Sequence, residues 1–319
     1  MRLRAWTLAL LLAAGGAGAQ PYPDKPVRFV VPFAPGGGTD IAGRVAAQAL
    51  SDVLGQTFVV DNRPGAGSLL GAEIVAKSPP NGYTLLFGNI SLAFNVGLFR
   101  KMPFDPAKDL VAITLVADQP NILVVNPGVP ARTFGEFVAY ARANPGKLNF
   151  ASAGTGSGTH LAAELLRREL KLDMTHIPYK GTGPALTDLI GGQVQWMLST
   201  FASALPYVQN GRLRALAVTG AKRSPAAPEV PTVAESGVPG YQYSTWYGLF
   251  APGGTPPPLV DRLFAATVKG IRSPDVAQRM AAQGLEAVTS ESPRAFAAFV
   301  NGEIAKWVKV VRESGIPQQ

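Results

Sequence analysis

Val30-Val31-Pro32-Phe33-Ala34-Pro35-Gly36-Gly37-Gly38-Thr39-Asp40 runs from an apolar strand through a triple-glycine turn into a helix expected to start at Asp40. Glycines tolerate positive φ and let backbone amides approach a ligand closely. A helix starting behind them presents its unpaired N–H groups and positive dipole end to the same point. The stretch therefore reads as an anion seat, suited to phosphate, sulfate or carboxylate. Asp40 has two readings, a ligand contact and a carboxylate that stabilises a helix N-terminus.

The device occurs twice. Leu148-Asn149-Phe150-Ala151 is an expected strand, and it feeds Ser152-Ala153-Gly154-Thr155-Gly156-Ser157-Gly158-Thr159-His160 before a helix that carries Arg167 and Arg168 at its C-terminal end. Around the first copy, strands are expected at 27–32, 58–60 and 83–87, with helices between them and Ser68 as an N-cap. That alternation predicts a parallel sheet covered on both faces. Small polar residues at Gly88-Asn89-Ile90-Ser91 would emerge at its carboxyl edge, where open α/β sheets bind ligands.

The run 121–125 reads as a strand leaving the first lobe, and 246–252 as the strand that returns. Four prolines between 224 and 240 mark a rigid surface connection. Two crossings return the C-terminal helices to the first lobe, which makes that lobe discontinuous. At 319 residues, two lobes are the default.

Composition narrows the classes further. Arg2 and Arg4, the apolar run 5–14 and Ala17-Gly18-Ala19 read as a cleaved secretory signal over residues 1–19. The chain has no cysteine, hence no disulfide framework and no thiol for lipid attachment. Without the signal, 27 basic residues stand against 21 acidic ones. They form no run of the kind that tracks a nucleic-acid backbone, so no nucleic-acid partner is expected.

Catalytic constellations are absent from the sequence. The two histidines, His160 and His176, have no metal-ligand spacing. Ser157 lies between glycines one residue away, whereas a nucleophile elbow needs them two away. Neither dinucleotide nor P-loop fingerprints occur, so no cofactor and no metal is expected. His160, in the first turn of its helix, is read as a neutral hydrogen-bonding or packing residue ahead of a base.

Eight separated motifs occur in order: Pro23-Asp24-Lys25-Pro26-Val27-Arg28, the 31–40 stretch, Asn62-Arg63-Pro64-Gly65-Ala66-Gly67, Pro80-Asn81-Gly82-Tyr83-Thr84-Leu85, Ala151 to Ser157, Ile177-Pro178-Tyr179-Lys180-Gly181, Leu213 to Thr219 and Pro231 to Gly237. With them the chain resembles the Bug-type extracytoplasmic solute receptors, the substrate-binding proteins of tripartite tricarboxylate transporters. The resemblance implies an α/β, two-lobed periplasmic-binding-protein fold of type II, with two hinge strands and the ligand cleft between the lobes. Lobe 1 is expected at 20–122 plus 248–319, and lobe 2 at 123–247.

It also implies a non-enzymatic periplasmic receptor, a soluble monomer without a lipid anchor, that captures a small organic carboxylate for transporter subunits in the membrane. Carried over, the ligand contacts fall on Phe33, Ala34, Gly37, Gly38, Thr39, Asp40, Asn89, Ser91, Ala153, Gly154, Thr155, Gly156, Ser157, Lys180, Gly181 and Thr200; His160 joins this set as a candidate. Many relatives carry an Asp-Asn pair where this chain has Ser199-Thr200. A neutral Thr200 suits a di- or tricarboxylate or an aromatic acid without an amino group. Leu92 and Phe94 have two readings, an apolar cleft wall and core. Two other readings use the same cleft: a ligand-dependent adaptor for a sensor kinase, and a periplasmic hydrolase.

Overall fold

Val27–Val31 (β1) is a run of branched and aromatic residues in which only Arg28 keeps contact with solvent. Burial of both strand faces marks the interior of a covered parallel sheet. The structure, a computed structural model, describes residues 22–319; the signal expected at 1–19 lies outside the described residues.

After the glycine turn, α1 (Gly38–Leu54) buries Ala42, Ala46, Ala49 and Leu50, and Gly55 ends it in the left-handed conformation at φ 72°. Next come β2 (Phe58–Asn62), α2 (Leu69–Ala76), β3 (Thr84–Asn89), α3 (Ser91–Leu98) and β4 (Leu110–Val125). The second copy of the device follows as α4 (Phe134–Ala143), β5 (Asn149–Ser152), α5 (Gly158–Glu169), β6 (Thr175–Pro178), α6 (Thr182–Ile190), β7 (Trp196–Thr200), α7 (Phe201–Gln209) and β8 (Arg214–Val218). The chain closes with β9 (Ser244–Pro252), α8 (Pro257–Ile271), α9 (Pro274–Ala282), β10 (Glu286–Ala287) and α10 (Pro293–Ser314).

Two strand arrays share β4. The first has the order β2-β1-β3-β9-β4, with β10 added on β4; the second has β6-β5-β7-β4-β8. In each, three parallel strands meet an antiparallel fourth: β9 beside β3, and the second half of β4 beside β7. The arrays are therefore two renderings of one topology, the two-lobed α/β binding-protein fold.

β4 changes partners within its length. Leu110 to Pro120 pair with β9, whereas Asn121 to Val125 lie between β7 and β8. Pro120 has no N–H to give a ladder, and the switch falls beside it. On the return, Ser244 already pairs with Pro120 in the first array. Pairing thus assigns 121–122 to the second array and 244–247 to the first.

Period-two alternation sorts the core. On β1 and β3, Val30 and Leu86 join a cluster that continues through Phe250 and Trp196 into the second array. Phe29, Val31, Leu85 and Phe87 point the other way, onto a layer with α1 and α8. A third cluster, with Leu186, Met197 and Phe201, covers the outer face of the second array. α8 packs on α1, and α10 on α3 and β4, so the C-terminal helices pack against the first array.

Two expectations need correction, and one pair of readings is decided. α1 starts at Gly38, two residues earlier than expected. Ser68 precedes α2 but adopts φ 95° and caps nothing with its side chain; its hydroxyl instead lies 3.5 Å from Asn95 Nδ2. Leu92 and Phe94 belong to α3, are buried and line no cleft. Leu92 packs under Gly88, so these two residues build core.

Gly248 on β9 is where α10 seats. A Cβ there would run into the ring of Phe296, which is packed against Trp246 and Phe250. Gly248→Ala is expected to lower stability by about 1–3 kcal/mol, measured as a lower urea midpoint at unchanged slope. An unchanged midpoint would show that α10 is not seated on this strand.

Candidate functional site

Both glycine turns reach the cleft, by different means. In the first, only Gly36 has positive φ, at 80°; Gly37 is extended and Gly38 is helical. The expectation that all three glycines turn the chain is thus too broad. Gly38 is required by proximity instead, since a Cβ there would lie 2.6 Å from Gln119 Nε2 and 2.7 Å from both Thr200 and the Tyr247 hydroxyl. In the second turn, Gly154 and Gly156 have φ of 122° and 84°.

Asp40 braces its own loop. Its carboxylate accepts from the Gly36 N–H at 3.0 Å, from Asn62 at 2.9 Å and from the Arg44 guanidinium at 3.0 Å, and it does not line the cleft. Of its two readings, the geometry gives the structural one. Ser157 caps α5 by accepting from the His160 N–H at 3.2 Å while still lining the cleft.

Between the lobes, Phe33, Gly37, Thr39, Asn89, Ala153, Ser157 and Thr200 surround one small cavity, joined by Gly158, Thr159, Thr182 and Thr245. No charged side chain is among them. The space is about 10 Å³, room for about one water, because the lobes touch. Gly38 N–H donates across the cleft to Thr200 Oγ1 at 3.2 Å, Gly158 N–H donates to Ser91 Oγ at 3.1 Å, and Ala34 N–H donates to the Lys180 carbonyl at 3.3 Å.

The other candidates sit around this centre. Gly154, Thr155 and Lys180 line a separate outer cavity of about 310 Å³, which shares Phe33 and Ala153 with the inner one. Gly181 backs onto Ala34, where a Cβ would come within 2.8 Å of the alanine side chain. Gly156 lies against Asn95 and Phe99 of the opposite lobe, and the side chain of Asn89 donates to Thr39 Oγ1 at 3.0 Å.

Gly158 and Thr159 stand in the second glycine stretch but not among the expected contacts, and Thr182 directly follows the Lys180-Gly181 motif. Their place beside a glycine at a helix start was the available signal. Thr245 had none, because it reaches the cleft only through the pairing of β9 with β4.

His160 lies beneath the second turn rather than in the cleft. Its ring stacks on His176 with centroids 4.2 Å apart, and Phe150 stacks on the far side of His176 at 4.9 Å. His160 Nδ1 accepts the Gly156 N–H at 3.4 Å, and His176 Nε2 lies 2.6 Å from Ser152 Oγ. Burial lowers the His160 pKa to about 4, with Arg167 adding to the effect and Glu164 opposing it. Burial and then the neighbouring His160 lower that of His176 to about 3. Both rings are neutral supports of the loop at pH 7.

A strand-bridged pair of α/β lobes around an uncharged polar cleft defines a two-lobed solute-binding protein. A family model described as "Tripartite tricarboxylate transporter family receptor" matches residues 42–316, and the chain belongs to this family. Protein BugT of Bordetella pertussis is 39% identical over 304 residues, spanning 95% of this chain and 93% of BugT. The periplasmic binding protein BugD superposes with a TM-score of 0.91 at 35% identity, over 93% of this chain and all of BugD. Rpa4515 of R. palustris, solved with adipate, gives 0.90 at 36% identity, over 93% of this chain and all of that one. The family is one of receptors and BugD is a periplasmic binding protein, and the chain is likewise a binding protein rather than an enzyme.

Gly67 meets the second turn across the cleft, and a Cβ on it would collide with the Thr155 carbonyl and the Gly156 backbone. Gly67→Ala is expected to hold the lobes apart, seen as a larger radius of gyration in solution scattering. The left-handed φ of 58° at this position adds a stability loss of about 1 kcal/mol. An unchanged radius would show that this contact does not limit closure.

The histidine pair also sets a pH dependence. Below the unfolded pKa of about 6.5 the unfolded chain binds protons that the folded chain refuses until about pH 4 and 3. The contribution is therefore complete above pH 6.5 and is lost as pH falls toward 3, up to about 8 kcal/mol in all. His176→Gln is expected to flatten the fall in unfolding free energy between pH 6.5 and 4 by about one proton; an unchanged slope would remove His176 from the account.

Proposed function

We propose that this protein is a periplasmic receptor that captures a small organic carboxylate lacking an amino group and delivers it to membrane subunits of a tripartite tricarboxylate-type transporter. The observation that carries the reading is the cleft lining: backbone amides at two helix starts, hydroxyls and one amide side chain, with no carboxylate. Such a site offers hydrogen-bond donors and two positive dipole ends to an anion. It offers no counter-charge to an ammonium, and an unpaired buried charge is strongly disfavoured. Membership of the receptor family and the adipate complex of Rpa4515 agree with this class of ligand.

The ligand contacts on this reading are Phe33, Gly37, Thr39, Asn89, Ala153, Ser157 and Thr200 with Gly158, Thr159, Thr182 and Thr245. Gly38, Ser91, Ala34, Lys180 and Gly181 carry the lobe contacts around them. The lobes divide at Pro120/Asn121 on β4 and just before Ser244 on the return. Because the closed cleft admits about one water, ligand entry requires the lobes to part at those two points, and closure is a population shift driven by contacts made only in the closed form. The receptor acts as a monomer.

Titration calorimetry with succinate, citrate, benzoate, aspartate and glutamate tests the reading. At least one acid without an amino group is expected to bind roughly tenfold or more tightly than either amino acid. Tighter binding of aspartate or glutamate than of all three others would overturn it.

A further inference from the structure

Among the described residues Phe33 is the one large apolar side chain on the inner cleft; its other lining residues are glycines, an alanine, hydroxyl residues and Asn89. Phe33 is only 4% exposed, yet it belongs to none of the three apolar clusters. Its burial therefore comes from the cleft walls and not from the packing that builds either lobe. The backbone that carries it is pinned on both lobes. Asn62 Nδ2 donates to the Phe33 carbonyl at 2.9 Å, and the N–H of Ala34 donates to the Lys180 carbonyl at 3.3 Å.

Phe33 also lines the outer cavity, and Ala153 is the only other residue common to the two spaces. The side chain is thus a partition. On one side lies the inner space of about 10 Å³, on the other a cavity of about 310 Å³ in which Lys180 is the only ionic side chain.

Any organic acid is larger than one water, so its fit in the closed cleft is set by what its hydrocarbon part meets. Apolar parts of a ligand pack on apolar side chains, and here that means Phe33. A wall of this kind discriminates by about 10–200-fold per methylene, and closely packed walls resist added ones. We propose that Phe33 is the specificity-determining residue of the cleft: it sets the longest acid over which the lobes close and shuts that acid off from the outer cavity. The inference rests on the carboxylate reading above.

Titration calorimetry with succinate, adipate and suberate, dicarboxylates of increasing chain length, tests it. For the unaltered protein suberate is expected to bind roughly tenfold or more weakly than succinate. Phe33→Ala removes the ring and joins the two cavities, so succinate weakens by about tenfold while suberate gains, its far carboxylate entering the space that Lys180 lines. The ratio of suberate to succinate affinity is expected to rise about a hundredfold. Phe33→Leu leaves a shorter partition in place; it is expected to raise the ratio severalfold, and it carries the test if the alanine variant does not fold. The inference is overturned if the unaltered protein prefers suberate, if neither variant raises the ratio, or if none of the three acids binds. In the last case the carboxylate reading falls with it only if citrate and benzoate also fail to bind.

Discussion

Two hydrogen bonds of the same kind cross the cleft in opposite directions, and the rest of the site is arranged around them. The first N–H of α1, on Gly38, donates to Thr200 at the end of β7. The first N–H of α5, on Gly158, donates to Ser91 just after the end of β3. In each lobe a glycine turn supplies the donor and the end of the third strand supplies the acceptor. The reciprocity follows from both arrays having one topology. Groups that helix geometry leaves unpaired at an N-terminus are thereby satisfied by the opposite lobe, and the neighbouring amides and hydroxyls converge between them.

The hinge has its own polar frame, set into an apolar strand. Gln119 bonds the Tyr247 hydroxyl and accepts from the Ala202 N–H at 3.1 Å, while Asn121 accepts from Thr245 at 2.9 Å and donates to the Leu198 carbonyl at 3.3 Å. All six residues so joined are buried. A satisfied buried network fixes one geometry, because any other pairing leaves a polar group without a partner. The residues flanking Pro120 therefore determine where the chain bends and how the two turns face each other.

Much of this was legible in the sequence because local rules and the global fold agree. The strand-turn-helix repeat and the parallel pairing of β1 with β2 and β3 read directly. What resisted reading was whatever depends on long-range pairing. β4 runs for sixteen residues, but Asp118-Gln119-Pro120 breaks its apolar pattern, so only its last five residues looked like strand. α3 and α7 begin immediately after a strand, and in neither does the N-cap side chain bond the helix start. Asp40 and His160 sat in the expected motifs, yet their side chains turn toward the loops they support. Thr245 enters the cleft only because β9 lies beside β4.

Thr200 shows how a single position links closure to selectivity. Its hydroxyl accepts from Gly38 and lies 2.8 Å from Ser203 Oγ, so it serves the lobe contact and lines the cavity at once. A carboxylate at this point would accept the same N–H with charge assistance and hold the lobes together more firmly. It would also place negative charge between two helix starts whose dipoles otherwise favour an anionic ligand. A neutral hydroxyl keeps the lobe contact and leaves that positive potential for the ligand. On the proposed reading, the uncharged lining is the means by which an anion would be preferred: the attraction would come from backbone geometry, which the glycines set, with no cationic side chain needed to supply it.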